Sequence, residues 1–281
     1  MHEHSKLDIL DRIHSAYYSL TATERRVADY VLANHPQVQY MSISQLADEC
    51  GTAEATISRF CRSLKLTGFN AFKIELALHS ANVAPVEREP GNLVGHSMEV
   101  GRLATDAVHQ TIDLMEPNSV GRTVEMIEKA RQVICIGSGG SFIMASECAN
   151  TFSNVTSKFF AMPDSHNQIS AVASMSREDV VILFSYSGAT TNGVQILELA
   201  KNRGIPSVLI TRYPKSPAAK LADVTLCCGS NEGPFQAGSI PARIAQLVVI
   251  GVLFQEYYNR NRAECDEIIQ SIASALSGMH M

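Results

Sequence analysis

Apolar positions recur every three or four residues through the first third of the chain; further on they gather into short unbroken runs separated by helical stretches. Thr21-Ala-Thr-Glu24 reads as a capping box that opens an apolar-periodic helix through Val27, Tyr30, Val31 and Leu32. Ser42 or Ser44 caps the next helix, QLADEC, which stops at Gly51. Thr52 caps a third, from Ala53 to Leu64; Gly68 punctuates, and Asn70 starts a fourth that runs through Leu78. Residues 1–80 thus read as helices only. Residues 82–96, NVAPVEREPGNLVGH, hold two prolines and two glycines with little periodicity, the character of a linker.

Residues 97–130 read as two helices, and then the pattern changes. Strands are expected at Gln132–Ile136, Lys158–Ala161, Val180–Ser185, Ser207–Thr211 and Val224–Cys228. Helices fall between them at Ser141–Ser157, Ser165–Ser174 and Thr190–Asn202, with a long one from about Ala237 to Arg260. Runs such as VVILF and SVLI belong to strands buried on both faces. Their alternation with helices predicts a doubly wound parallel sheet. The expected fold class is an all-α N-terminal domain over 1–80, a linker over 81–96 and an α/β domain over 97–281 with its core at about 121–265.

The 281 residues include 46% hydrophobic and 18% charged, a globular balance. No run of 18 apolar residues occurs and the N-terminus has no secretory character, so a cytoplasmic protein without a membrane partner is expected. Seven scattered cysteines form no C-x-x-C pair, so they read as reduced, buried thiols and no metal or other cofactor is expected. The net charge of −5 carries no sign of nucleic-acid binding, but its distribution does. From Ala55 to Ile74 there are Arg59, Arg62, Lys65 and Lys73 and no acid.

Two kinds of chemistry stand out. Ile43–Arg62 meets the demands of a helix-turn-helix: small Ala47 where the helices cross, Gly51 at the turn, and Ile57 and Phe60 facing Leu46 and Cys50. The outward face, Thr52, Glu54, Ala55, Ser58, Arg59 and Arg62, continued by Lys65, offers hydroxyls and cations for base edges and phosphates of double-stranded DNA. Glu54 is discordant there unless it accepts from a cytosine amino group. Then come two loops that each follow a strand. In Ile136-Gly-Ser-Gly-Gly-Ser141 and Ser185-Tyr-Ser-Gly-Ala-Thr190, glycines and hydroxyls at helix starts favour an anion. The first loop approaches a dinucleotide fingerprint, with Asp164 near the end of the next strand, but Phe142 replaces its third glycine; a Walker A loop is excluded because no Lys-Ser/Thr follows.

The pair G-x-G-G-S and S-x-S-G-x-T resembles the sugar isomerase (SIS) domain, and TATERRVADYVLANHPQVQYMSISQLADECGTAEATISRFCRSLKLTGFNAFKIELA resembles the RpiR-type helix-turn-helix. In this order they resemble RpiR-family regulators of sugar-catabolic genes. The resemblance implies that Ser141, Ser185, Ser187 and Thr190 hold the phosphate of a sugar-phosphate effector, flanked by Ser138, Gly139, Gly140, Tyr186 and Gly188. It also implies a homodimer or homotetramer on DNA. Ala189 stands where the family often has Glu, and Arg243-Ile-Ala-Gln246 matches an Arg and Ala-Gln of the family's C-terminal helix. SIS domains also occur in isomerases, for which Glu147, His166 and Glu232 are candidate acid–base groups; spacing forces no pair of them, and a sensor without catalytic residues is expected.

Overall fold

The computed structural model describes residues 8–83, 93–229 and 240–277. These fall into two compact units that divide between Glu99 and Val100. The first contains α1 (Ile9–Ala16), α2 (Ala22–Val38), α3 (Ile43–Glu49), α4 (Glu54–Ser63) and α5 (Phe69–Val83). The capping box at the start of α2 forms as expected: Glu24 N–H donates to Thr21 Oγ1 and Glu24 Oε2 accepts from Thr21 N–H. Ser42, not Ser44, caps α3, in a second box with Gln45. The expected Thr52 cap does not form. Ala53 takes the N-cap of α4 without a side-chain bond, and Thr52 Oγ1 is buried with no hydrogen-bond partner. Ile13, Val27, Leu46, Ile57, Phe60 and Phe72 are fully buried in this unit's core.

Helices take both ends of the segment expected as a linker. Helix α5 runs on to Val83 and α6 (Leu93–Leu114) begins three residues after the second proline, Pro90; 84–92 lie outside the described residues. After α7 (Pro117–Lys129) the second unit contains β1 (Val133–Gly137), α8 (Gly140–Ser153), β2 (Phe159–Ala161), α9 (Ser165–Ser174), β3 (Val180–Phe184), α10 (Thr191–Arg203), β4 (Ser207–Thr211) and β5 (Val224–Cys227). Two helices close the described chain, α11 (Ile240–Arg260) and α12 (Arg262–Ser277). The five strands are all parallel, in the order β2-β1-β3-β4-β5. Strands β1, β3 and β4 are buried along their whole length, which is why their sequences read as unbroken apolar runs. Helices α8 and α11 cover one face, through Cys148, Phe152 and Val249, while α9 and α10 cover the other through Val172, Ile196 and Leu197. Helix α11 is long and apolar enough by composition to cross a membrane, yet its buried positions, Ala245, Val249 and Leu253 among them, belong to this core. All seven cysteines are free thiols. Burial pushes Cys61 up to about 12 and Cys50 to about 11, so both are unreactive at neutral pH.

One buried carboxylate ties the strand entrances together. Asp179, fully buried just before β3, accepts from Arg131 Nε (3.0 Å) and Nη2 (2.9 Å) and from Ser176 N–H (2.7 Å). Burial alone would raise its pKa, but the bonds from Arg131 and Ser176 outweigh it and hold the group below its ordinary value. A depressed carboxylate stabilises the fold above its unfolded pKa, and that stabilisation is lost as pH falls through the folded value. Asp179→Asn should therefore lower the melting temperature at pH 7, and the gap to the wild type should begin to narrow only below the ordinary carboxylate value of about 4 and go on narrowing as pH falls further. A gap of constant size from pH 7 down to the acid limit of folding would remove the charge from the explanation.

Candidate functional site

The helix-turn-helix is built by one backbone device used twice. At the end of α3, Thr52 N–H reaches Ala47 O (2.8 Å) and Gly51 N–H reaches Asp48 O (3.0 Å), with Gly51 left-handed at φ +59°. This is a Schellman stop, and it aims the chain into α4. Arg26 from α2 donates to Gly51 O (3.0 Å) and pins the turn. At the end of α4, Leu66 N–H reaches Cys61 O (3.0 Å) and Lys65 N–H reaches Arg62 O (2.8 Å), with Lys65 left-handed at φ +61°. Lysine thus occupies a position that glycine fills at less steric cost.

Ile57 and Phe60 are fully buried, as the spacing requires, beside Leu46 and Ala47. Ala55, Arg59, Arg62 and Lys65 are exposed, while Thr52, Glu54 and Ser58 are half-buried. Arg59 reaches back to Thr56 Oγ1 at 3.3 Å. Glu54, discordant on a DNA-facing surface, turns inward: its Oε1 accepts from the buried Ser44 Oγ at 2.6 Å and ties the start of α4 to α3. Neither the Arg26 contact nor the Ser44–Glu54 bond has a local sequence signal, since each joins residues ten or more apart.

In the second unit, β1 and β3 are paired neighbours with Gly137 opposite Phe184, so the two glycine–hydroxyl loops leave adjacent strand ends. Gly137 is the last residue of β1 rather than part of the loop. A Cβ there would lie 2.5 Å from Ser141 O, so the turn into α8 requires glycine. Gly139, the N-cap of α8, is left-handed at φ +55°. Ser138 and Gly139 are exposed, and Gly140 and Ser141 half-buried.

The second loop is held on three sides. Ser185 N–H donates to Ile210 O (3.0 Å), Arg212 N–H to Tyr186 O (3.0 Å) and Ala218 N–H to Gly188 O (2.9 Å). Gly188 is left-handed at φ +59°, and a Cβ on it would fall 2.0 Å from Ser216 Oγ. This folding brings Ser185 Oγ within 3.4 Å of Thr190 Oγ1, and Ala189 N–H donates to Ser187 Oγ at 3.3 Å. Ser185 is buried, Ser187 and Tyr186 are half-buried and Thr190 is exposed, so the hydroxyls run from the sheet outward. The loop lies at the start of α10, where free amides and the helix dipole favour an anion.

The alternatives fare differently. Asp164 caps α9 by accepting from Asn167 N–H (3.0 Å), and this bond, the largest influence on it, holds its carboxyl below the ordinary value. Glu147 accepts from Thr151 one turn along α8 (3.3 Å), and His166 is exposed in the first turn of α9. Glu232 lies outside the described residues. Arg243 is half-buried with its Nε lacking a hydrogen-bond partner, and Gln246 is buried, both in the first half of α11. Among the described residues no cluster of His, Cys, Asp and Glu is arranged to hold a metal ion.

The rpiR-family helix-turn-helix domain matches residues 7–83, and the SIS domain matches residues 126–255. An HTH-type transcriptional regulator of Caldanaerobacter subterraneus is 32% identical over 262 residues, covering 90% of this chain and 92% of that protein. The chain belongs to the RpiR family of transcription regulators. The HTH-type transcriptional regulator HexR of Escherichia coli is 27% identical, over 96% of this chain and 94% of its own length. The Vibrio vulnificus NanR protein, solved in complex with ManNAc-6P, superposes with a TM-score of 0.87 at 26% identity, covering 97% of this chain and all of that one. The RpiR match places α3 and α4 within the DNA-binding domain, and the SIS match includes both glycine–hydroxyl loops.

Two substitutions test this geometry. Lys65→Gly should relieve the left-handed strain and stabilise the first unit by up to about 1 kcal/mol. Thermal unfolding of the variant checks this; a lower melting temperature, the cost of glycine's chain entropy alone, would mean that Lys65 is unstrained. Gly188→Ala should lower the melting temperature of the SIS unit, because neither Ser216 nor the left-handed backbone has room for the methyl group. Unaltered melting would show that the loop yields freely.

Proposed function

We propose that this regulator binds a DNA operator through α4 and that a phosphorylated sugar, held in the SIS domain, changes that affinity without being turned over. The observation that carries the ligand half is the pairing of β1 with β3. The sheet order reverses between them, and the helices after them go to opposite faces, so their two glycine–hydroxyl loops border one crevice. A single phosphate bridging the two loops explains why both are built of small and hydroxylated residues. Ser141, Ser185, Ser187 and Thr190 supply its hydrogen bonds, with Ser138, Gly139, Gly140, Tyr186 and Gly188 flanking them in the same loops. The likeness to NanR, bound to ManNAc-6P, supports a sugar or amino-sugar phosphate.

On the DNA side, Ala55, Ser58, Arg59 and Arg62 face the major groove with Thr52 at the helix start, and Lys65 reaches a phosphate. Glu54 is tied to Ser44 through Oε1, and its other oxygen is the one that can accept from a cytosine amino group. One recognition helix per chain implies a homodimer or homotetramer on a two-fold operator. The relatives' names support regulation rather than catalysis. The relatives named as transcription regulators support a cytoplasmic protein, and the buried positions of α11 belong to a protein core.

The test is a thermal-shift titration of the full chain with hexose, amino-hexose and pentose phosphates beside their unphosphorylated forms. A phosphate ester at a hundred times its dissociation constant should add about 2.7 kcal/mol, the free sugar nothing, and no product should form. Ser187→Ala should lose most of that shift and keep DNA affinity. Arg59→Ala with Arg62→Ala should abolish operator binding and leave the ligand shift intact. Product formation would turn the SIS unit into an enzyme; normal DNA binding by the double variant would remove α4 from the interface.

A further inference from the structure

One side chain outside both loops touches what holds them apart. Gln168, in the first turn of α9, is only 1% exposed. Its Nε2 donates to Gly137 O (2.8 Å), the last carbonyl of β1 before the glycine turn, and to Met162 O (2.9 Å), just past β2. Its Oε1 accepts from Asn192 Nδ2 (2.8 Å), in the first turn of α10 beyond the hydroxyl loop. Both amide protons and one carbonyl lone pair are thus used, on three elements that belong to the adjacent strand ends β2, β1 and β3.

We propose that Gln168 is the positioning residue of the ligand site: it fixes the distance between the glycine turn and the hydroxyl loop, so that one phosphate reaches both. This rests on the reading that a sugar phosphate binds there. The β1–β3 ladder, which ends at Gly137 and Phe184, joins the same strand ends but stops short of both loops. The same carboxamide sits directly after the exposed Ser165, His166 and Asn167, which border the strand ends beside β2. The strut therefore links the exposed start of α9 to the loops suited to the phosphate. It is specific for an amide. A carboxylate at 168 would place oxygen lone pairs against the carbonyls of Gly137 and Met162, and a buried polar group facing unmatched partners is costly. Asn192, half-buried at the surface end of the strut, offers a milder way to cut it.

The test measures dissociation constants by calorimetry on the full chain, at a temperature where circular dichroism shows each variant folded. The probes are ManNAc-6P and glucose 6-phosphate, whichever binds the wild type more tightly. Asn192→Ala and Gln168→Met should each weaken the probe about ten-fold, the scale of one or two hydrogen bonds. The double variant should be no weaker than the worse single one, because both cut the same strut. Gln168→Glu should also lose affinity, and lose more as pH rises, since only the charged acid repels both carbonyls. A purely structural glutamine would lower the melting temperature and leave these constants unchanged; that result, or losses that multiply in the double variant, would overturn the proposal. Ser187→Ala separates the two levels. If it weakens the probe while Asn192→Ala and Gln168→Met do not, the strut is wrong and the site stands; if it too leaves binding unchanged, the site itself is elsewhere and the strut falls with it.

Discussion

A parallel sheet wound in the order β2-β1-β3-β4-β5 must open between β1 and β3, because the chain leaves those two strands toward opposite faces. Helix α8 turns to the face it shares with α11, and α10 to the face it shares with α9. Right-handed crossovers permit no other arrangement at that point. The crevice is therefore a product of topology, and what the sequence adds is its lining. Glycines appear where the backbone must turn left-handed or approach within contact distance, as at Gly137, Gly139 and Gly188, and hydroxyls fill the positions between. Such a lining suits an anion, because free amides and the dipole at a helix start favour negative charge.

The helix-turn-helix obeys a different constraint. Two short helices keep a fixed relation only if the turn between them has one conformation. Gly51 supplies that through its Schellman bonds, Arg26 locks its carbonyl, and Ser44–Glu54 ties the helices on the far side. The exposed cations of α4 then project from a rigid base. The left-handed lysine at the end of α4 fits the same logic. Strain is retained at Lys65 where a cation at the helix terminus extends the basic surface, in a segment free of acids from Ala55 to Ile74.

Much of this was legible in the sequence because it is written locally. The capping boxes at Thr21 and Ser42, the stop at Gly51 and the buried spacing of Ile57 and Phe60 all act within one or two helical turns. The strands were readable because burial on both faces leaves no polar alternation to confuse the pattern. What the sequence concealed is long-range or unmarked. Nothing near Gln168 reveals that its carboxamide spans three strand ends, nor near Glu54 that a serine ten residues back takes its carboxylate. Lys65 carries no sign of a left-handed turn because lysine is not the residue that ordinarily signals one. Thr52 failed as a cap because the helix begins one residue later, at a position where alanine offers no acceptor.

The most direct test of the central claim is a crystal structure of the full chain with the sugar phosphate that stabilises it best. The phosphate should lie between the two loops, hydrogen-bonded to Ser141 on one side and to Ser185, Ser187 and Thr190 on the other, with the Gln168 strut intact beside it. A phosphate bound to one loop alone, or outside the β1–β3 crevice, would contradict the account.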